Sequence, residues 1–122
     1  MLIVEDQDLM RRLLREYVQS AYPGAEILEA ENGARALQLC SEERPDVVLM
    51  DIALPDANGI DLAAEITWAL PQTKVIIVSQ HADAVFAERA RAAGAHAFVR
   101  KDRVYRELLP AIERALADGP KP

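Results

Sequence analysis

The sequence predicts an α/β domain: a parallel sheet covered by helices on both faces. Three observations predict it. Short apolar runs alternate with segments of helical periodicity along the whole chain, giving five βα units in succession. The runs are continuously apolar, as expected of strands buried on both sides. Two of them end abruptly in acids: Leu2-Ile3-Val4 in Glu5-Asp6, and Val47-Val48-Leu49-Met50 in Asp51. Sites in open parallel sheets form beyond the carboxyl ends of strands. Three carboxylates gathered there would repel one another unless a hard cation bound among them. The chain is therefore expected to hold a divalent metal beside Asp51.

The elements follow in order. After the strand Leu2–Val4, apolar residues recur at helical spacing through Leu9, Met10, Leu13, Leu14, Tyr17, Val18 and Ala21, until Tyr22-Pro23-Gly24 breaks the helix. Ala25–Ala30 reads as a short second strand. Asn32 is placed to cap the next helix, with Ala36, Leu37 and Cys40 inward and Pro45 as its stop. Val47–Met50 is the third strand. A loop with Pro55, Asn58 and Gly59 leads to a helix carrying Leu62, Ala63, Ile66 and Leu70, closed by Pro71. Val75–Val78 is the fourth strand. Asp83 is placed to cap a helix with Phe86 and Ala90, which Gly94 stops. Ala95–Val99 is the fifth strand, and the last helix carries Leu108, Leu109, Ile112 and Leu116. Pro110 falls inside that helix and predicts a kink or a loose first turn.

The 122 residues suffice for one core, and 51% hydrophobic with 28% charged residues is an ordinary globular balance. Aromatics are only 5%, so aliphatic side chains and alanine must fill the interior. A net charge of −6 argues against direct nucleic-acid binding, which uses clustered Lys and Arg, and against an anionic membrane surface. Cys40 stands alone and reads as a small buried hydrophobe. No stretch has the apolar length of a membrane span and no signal peptide opens the chain, which favours the cytoplasm. Trp68 falls on the helix side opposite Leu62 and Ile66. It packs within the monomer or marks a partner surface. His96 reads as a surface or edge residue without a role.

Four motifs stand in order at strand ends: Ile3-Val4-Glu5-Asp6; Asp46 to Asp51 with Leu54-Pro55 and Gly59; Val78-Ser79; and Ala93-Gly94-Ala95 followed by Phe98 and Lys101. Together they resemble the receiver domain of bacterial two-component response regulators, over essentially the whole chain. The resemblance implies a flavodoxin-like (βα)5 three-layer sandwich with a five-stranded parallel sheet of order 2-1-3-4-5. Residues 1–117 would form the receiver, and 118–122 a linker or an artificial end.

The resemblance also implies roles. Asp51 would receive a phosphoryl group from a histidine kinase or phosphotransfer protein. Mg²⁺ would be held by Asp6, by Glu5 through water, by Asp51, and by the backbone carbonyl of Ala53. Lys101, rather than the adjacent Arg100, would contact a phosphoryl oxygen. Ser79 and Phe98 would form the switch that alters the surface of the fourth helix, fifth strand and fifth helix, controlling dimerisation or an output domain. Asp102 stands where the family often has proline, so no cis peptide is expected there. The Lys101-Asp102 pair resembles the subfamily with a helix-turn-helix DNA-binding output. Ala53, Gln80 and His81 would tune dephosphorylation. Such a domain modifies itself and does not turn over as an enzyme. Two other readings stand beside this one. The first is a phosphorylation-independent receiver acting as an interaction module, although no signature residue is lost. The second is a metal-dependent phosphatase using Asp51, against which Ala53 argues because it occupies the place of a second acid.

Overall fold

A computed structural model of the chain describes residues 1–80 and 83–118. Five strands, β1 (Leu2–Val4), β2 (Leu28–Ala30), β3 (Val47–Met50), β4 (Lys74–Ser79) and β5 (Ala97–Arg100), alternate with helices α1 (Asp8–Ala21), α2 (Gly33–Glu43), α3 (Gly59–Ala69), α4 (Ala84–Ala92) and α5 (Val104–Ala117). All strand pairs are parallel and the order is β2-β1-β3-β4-β5, the expected topology.

Side chains along a strand point alternately to the two faces, so each apolar run supplies two cores. Val4, Met50 and Ile77 join residues of α2, α3 and α4 on one side. Ile3, Leu49 and Ile76 join residues of α1 and α5 on the other. Each of these side chains is no more than 1% exposed, and burial of one stabilises the fold by about 1.5–3 kcal/mol. Cys40 lies in the first core, and burial pushes its thiol up to about 11, as suits a packing residue.

Local chemistry sets the helix ends. Asn32 Oδ1 accepts the Arg35 N–H at 2.8 Å at the start of α2, and Arg44 ends that helix in a left-handed conformation (φ 46°) before Pro45. Asn58 Oδ1 accepts the Ile60 and Asp61 N–H groups at 2.8 and 3.4 Å and starts α3. Gly94 adopts φ 92° after α4, a conformation that favours glycine, and the Ala95 N–H reaches back to the Ala90 carbonyl.

Several expectations need correction. β2 begins at Leu28, not Ala25, because its ladder starts opposite Leu2, while the Ala25 N–H turns back to the Tyr22 carbonyl. β5 runs from Ala97 to Arg100, shifted from Ala95–Val99, since Ala95 is still closing the end of α4. Asp83 stands at the N-cap of α4 without a side-chain cap, and its backbone carbonyl accepts the Phe86 N–H instead. Leu9 and Leu116 are 75% and 44% exposed rather than core. The expected Pro110 does fall inside α5, at an exposed position, and a 3-10 turn, Lys101–Arg103, precedes the first turn of that helix. His96 is mostly buried, and its Nε2 stands 2.5 Å from Asp118 Oδ2 beyond α5. Trp68 is 89% exposed and does not pack within the monomer. Of the expected tail, only Asp118 lies within the described residues.

Candidate functional site

The carboxyl ends of β1 and β3 bring the acids together. The Asp51 N–H donates to the Val4 carbonyl at 3.0 Å, so pairing continues one residue past β3 and sets Asp51 beside the end of β1. The Glu5 N–H donates likewise to Ala30 at 3.0 Å, anchoring the next residue to β2. From the far side, the start of α3 presses on the same strand end. The Gly59 N–H bonds the Ile52 carbonyl at 2.8 Å. A Cβ at Gly59 would stand 1.9 Å from the Asp51 carbonyl oxygen, so only glycine permits this approach.

Carboxylate oxygens of Glu5, Asp6 and Asp51 lie within 4.8 Å of one another. Glu5 and Asp51 are buried and Asp6 is exposed. Asp6 and Asp51 border a cleft of about 230 Å³ that Gln7, Ala53, Ser79 and Gln80 also line. A larger cleft of about 370 Å³, between Pro45 and Leu70, lies at the opposite ends of the strands and gathers no such acid group.

Lys101 closes the site from the side of β5. Its Nζ stands 2.6 Å from Glu5 Oε1 and 3.5 Å from Asp51 Oδ1, with its side chain 7% exposed. Arg100 points away and pairs with Asp102 at 2.7 Å, because successive side chains leave the strand in opposite directions. Burial pushes the Glu5 carboxyl above its ordinary value, opposed by its contacts with Lys101 and with the Gln7 N–H at 3.1 Å.

The donor set is chemically fit for a hard divalent cation: oxygen ligands only, from two adjacent strand ends.

The structure thus gathers Asp6, Asp51, Ala53, Ser79 and Gln80 around one cleft, with the buried Glu5 within 4.8 Å of both acids and Lys101 against Glu5 and Asp51. It places Phe98 elsewhere: half-buried on β5, packed against the core shared by α2, α3 and α4. His81 lies outside the described residues. Sequence reasoning missed three supports. Arg11 NH1 donates to the Glu5 carbonyl at 2.9 Å. Asp56 accepts the Gly33 and Ala34 N–H groups at 2.7 and 3.0 Å, tying the β3–α3 loop to the start of α2. These bonds hold the Asp56 carboxyl below its ordinary value. Gly59 was a motif residue, but its contact with Asp51 was not foreseen. Only an arginine in the first turn of a helix beginning at the acids could have hinted at the first of these.

Residues 1–113 match the response regulator receiver domain family, and the chain belongs to it. It is 37% identical to the transcriptional regulatory protein PdtaR of Mycobacterium tuberculosis, over 95% of this chain and 56% of that protein. It is 39% identical to the chemotaxis protein CheY of Thermotoga maritima, over 82% of each. A DNA-binding response regulator of the LuxR family from Staphylococcus aureus superposes with a TM-score of 0.83 at 32% identity, covering 93% of this chain and 96% of that one. The chain spans about half the length of the first curated relatives it matches, 54% and 56%. It is a receiver domain of two-component signalling, similar both to transcriptional regulators and to CheY. No helix among the described residues is long and apolar enough to cross a membrane.

Proposed function

We propose that Asp51 accepts a phosphoryl group from the phosphohistidine of a histidine kinase or phosphotransfer protein, and that the modified domain signals through an altered surface. The observation that carries this reading is a buried carboxylate at a strand end, 3.5 Å from a buried lysine and within 4.8 Å of two further acids. An Asp51 oxygen attacks phosphorus, the N–P bond of the donor breaks, and an acyl phosphate forms. Such transfer needs positioning and charge neutralisation more than covalent help.

Glu5, Asp6, Asp51 and the backbone carbonyl of Ala53 would hold Mg²⁺, which when bound supplies charge neutralisation to the transferring group. Lys101 gives a fixed point charge on the other side, held in place by its pairing with Glu5. Gly59 and the strand ladder keep the Asp51 backbone from yielding. The acyl phosphate carries about 1.5–2 negative charges by analogy with other phosphoresidues, in place of the single charge of the carboxylate, a net gain of up to about one unit. The Ser79 hydroxyl, buried at the end of β4 beside the cleft, answers that charge. Phe98 repacks on β5 and shifts the surface of α4, β5 and α5 between two populations. That surface pairs with a second copy or controls an output domain. The half-length match to transcriptional regulators favours a transcriptional output. Ala53, Gln80 and His81 set the lifetime of the acyl phosphate. Residues 1–117 are the working unit, acting in the cytoplasm, and the domain is modified once and decays rather than turning over substrate.

Incubation with Mg²⁺ and a small acyl-phosphate donor, followed by intact mass, tests the reading. One added phosphoryl group, absent from Asp51→Ala, is expected. No gain with that donor or with a phosphorylated histidine kinase would favour a phosphorylation-independent interaction module.

A further inference from the structure

Arg11 sits in the first turn of α1 with its side chain 17% exposed, and its guanidinium reaches three separate elements. NH1 donates to the Glu5 carbonyl at 2.9 Å, NH2 to Asp8 Oδ1 at 2.8 Å, and Nε to Glu29 Oε1 at 3.2 Å. Glu29 lies on β2 and is also held by Arg15 at 3.4 Å. The Glu5 carbonyl belongs to the peptide that joins Glu5 to Asp6. A peptide is planar, so fixing its carbonyl fixes the N–H and Cα of Asp6 as well. The Glu5 N–H is already committed to Ala30 and its side chain to Gln7 and Lys101. Arg11 is the bond that locks the remaining freedom, the rotation of the plane from which the exposed Asp6 carboxylate departs.

We propose that Arg11 is a positioning residue for divalent-cation binding: its fork clamps the Glu5–Asp6 peptide between α1 and β2, so that the Asp6 carboxylate meets the ion already aimed. This rests on the reading of Glu5, Asp6 and Asp51 as a Mg²⁺ site. The role needs the planar fork, because a lysine is a point charge that cannot serve three acceptors in fixed directions. Partners that orient metal ligands typically contribute 10- to 100-fold in metal affinity. The charge of Arg11 acts the other way, since a cation beside the site repels a second one. Geometry and charge therefore predict opposite signs.

The test is calorimetric Mg²⁺ titration of the wild type, Arg11→Lys and Arg11→Met, with urea unfolding of each. Acyl-phosphate labelling at graded Mg²⁺ accompanies it. Clamping predicts that both variants bind Mg²⁺ about tenfold more weakly, with the labelling rate restored at saturating Mg²⁺. Unchanged affinity in folded Arg11→Lys overturns the proposal. So does tighter binding in Arg11→Met with no change in Arg11→Lys, the mark of a pure charge effect. Should the Arg11 variants not fold, Glu29→Leu removes the β2 anchor alone: weaker Mg²⁺ binding sustains the proposal, and unchanged affinity overturns it. A wild type that binds no Mg²⁺ overturns the site reading itself, an outcome distinct from a wild type and Arg11→Lys that bind equally.

Discussion

Replacing Gly59 by alanine sets two forces in opposition, and the structure decides between them. Gly59 is the first residue of α3. Helix propensity favours alanine over glycine by about 1 kcal/mol in a helix interior, and alanine also reduces the freedom of the unfolded chain. On those grounds alone Gly59→Ala would stabilise. The added Cβ, however, would lie 1.9 Å from the Asp51 carbonyl oxygen and 2.8 Å from its carbonyl carbon, where contacts under 3.0 Å are essentially never seen. Helix and strand end must part by about an ångström, and both sides are backbone. Such overpacking typically destabilises by about 1–3 kcal/mol. The Gly59–Ile52 hydrogen bond, 2.8 Å long, stretches with it, a further loss of about 1 kcal/mol. The net expectation is destabilisation by about 1–3 kcal/mol in urea unfolding. If Asp51 is the acceptor, a shift of this size also slows labelling by a small acyl phosphate by about 100-fold. Gly24 is the control, since its Cβ would meet nothing within 4 Å, and Gly24→Ala is expected within about 0.5 kcal/mol of wild type. A Gly59→Ala protein as stable and as readily labelled as wild type would refute the reasoning.

Three further outcomes are expected. Lys101→Met leaves the buried Glu5 carboxylate without its cation; breaking such a pair costs about 3–5 kcal/mol without added metal, and adding Glu5→Gln restores much of it in urea unfolding. The Asp56 carboxyl holds its proton less tightly when folded than when unfolded, because it accepts two N–H groups at α2. The unfolded chain therefore binds more protons near the ordinary Asp range, and stability rises with pH there. The advantage of wild type over Asp56→Asn should hold at neutral pH and vanish as pH falls below about 4. A difference independent of pH would count against that account. Ala53 lines the cleft, and Ala53→Asn is expected to change the decay rate of the labelled protein while leaving labelling intact, followed by intact mass over time.

The fold was legible because its signals are local and repeated. Val47–Met50 and Leu2–Val4 announce strands buried on both faces, and the structure gives those bounds. Boundaries slipped where a partner decided them: β2 begins where Leu2 offers a ladder, and β5 begins where α4 has finished closing. Strand order was not readable from alternation, since the same five βα units close a sheet in several orders; it came with the family resemblance. The acids at two strand ends were legible as a group because parallel strands deliver their ends to one side. Arg11, Asp56 and Gly59 were not, because each acts on a residue through space at a distance the sequence does not encode. Arg11 reaches the Glu5 carbonyl as well as the Asp8 and Glu29 carboxylates, and Asp56 caps a helix 22 residues before it in the chain.

Charge within the site explains why ordinary salt should not replace a divalent ion. Glu5, Asp6 and Asp51 carry three negative charges against one from Lys101. At an effective dielectric near 20, two like charges 4.8 Å apart repel by about 3 kcal/mol. Lys101 is already committed to the buried Glu5, so it cannot also cancel Asp6 on the exposed side. An acyl phosphate at Asp51 would worsen the imbalance by roughly another unit. Monovalent ions screen charges across solvent, over about 8–10 Å at moderate ionic strength, but screen buried groups little. Labelling should therefore stop on chelation of divalent ions and stay stopped when NaCl is raised, then return on adding Mg²⁺. Recovery with NaCl alone would mean that the acids act as a diffuse field rather than as a ligand set, and would remove the argument for a bound ion.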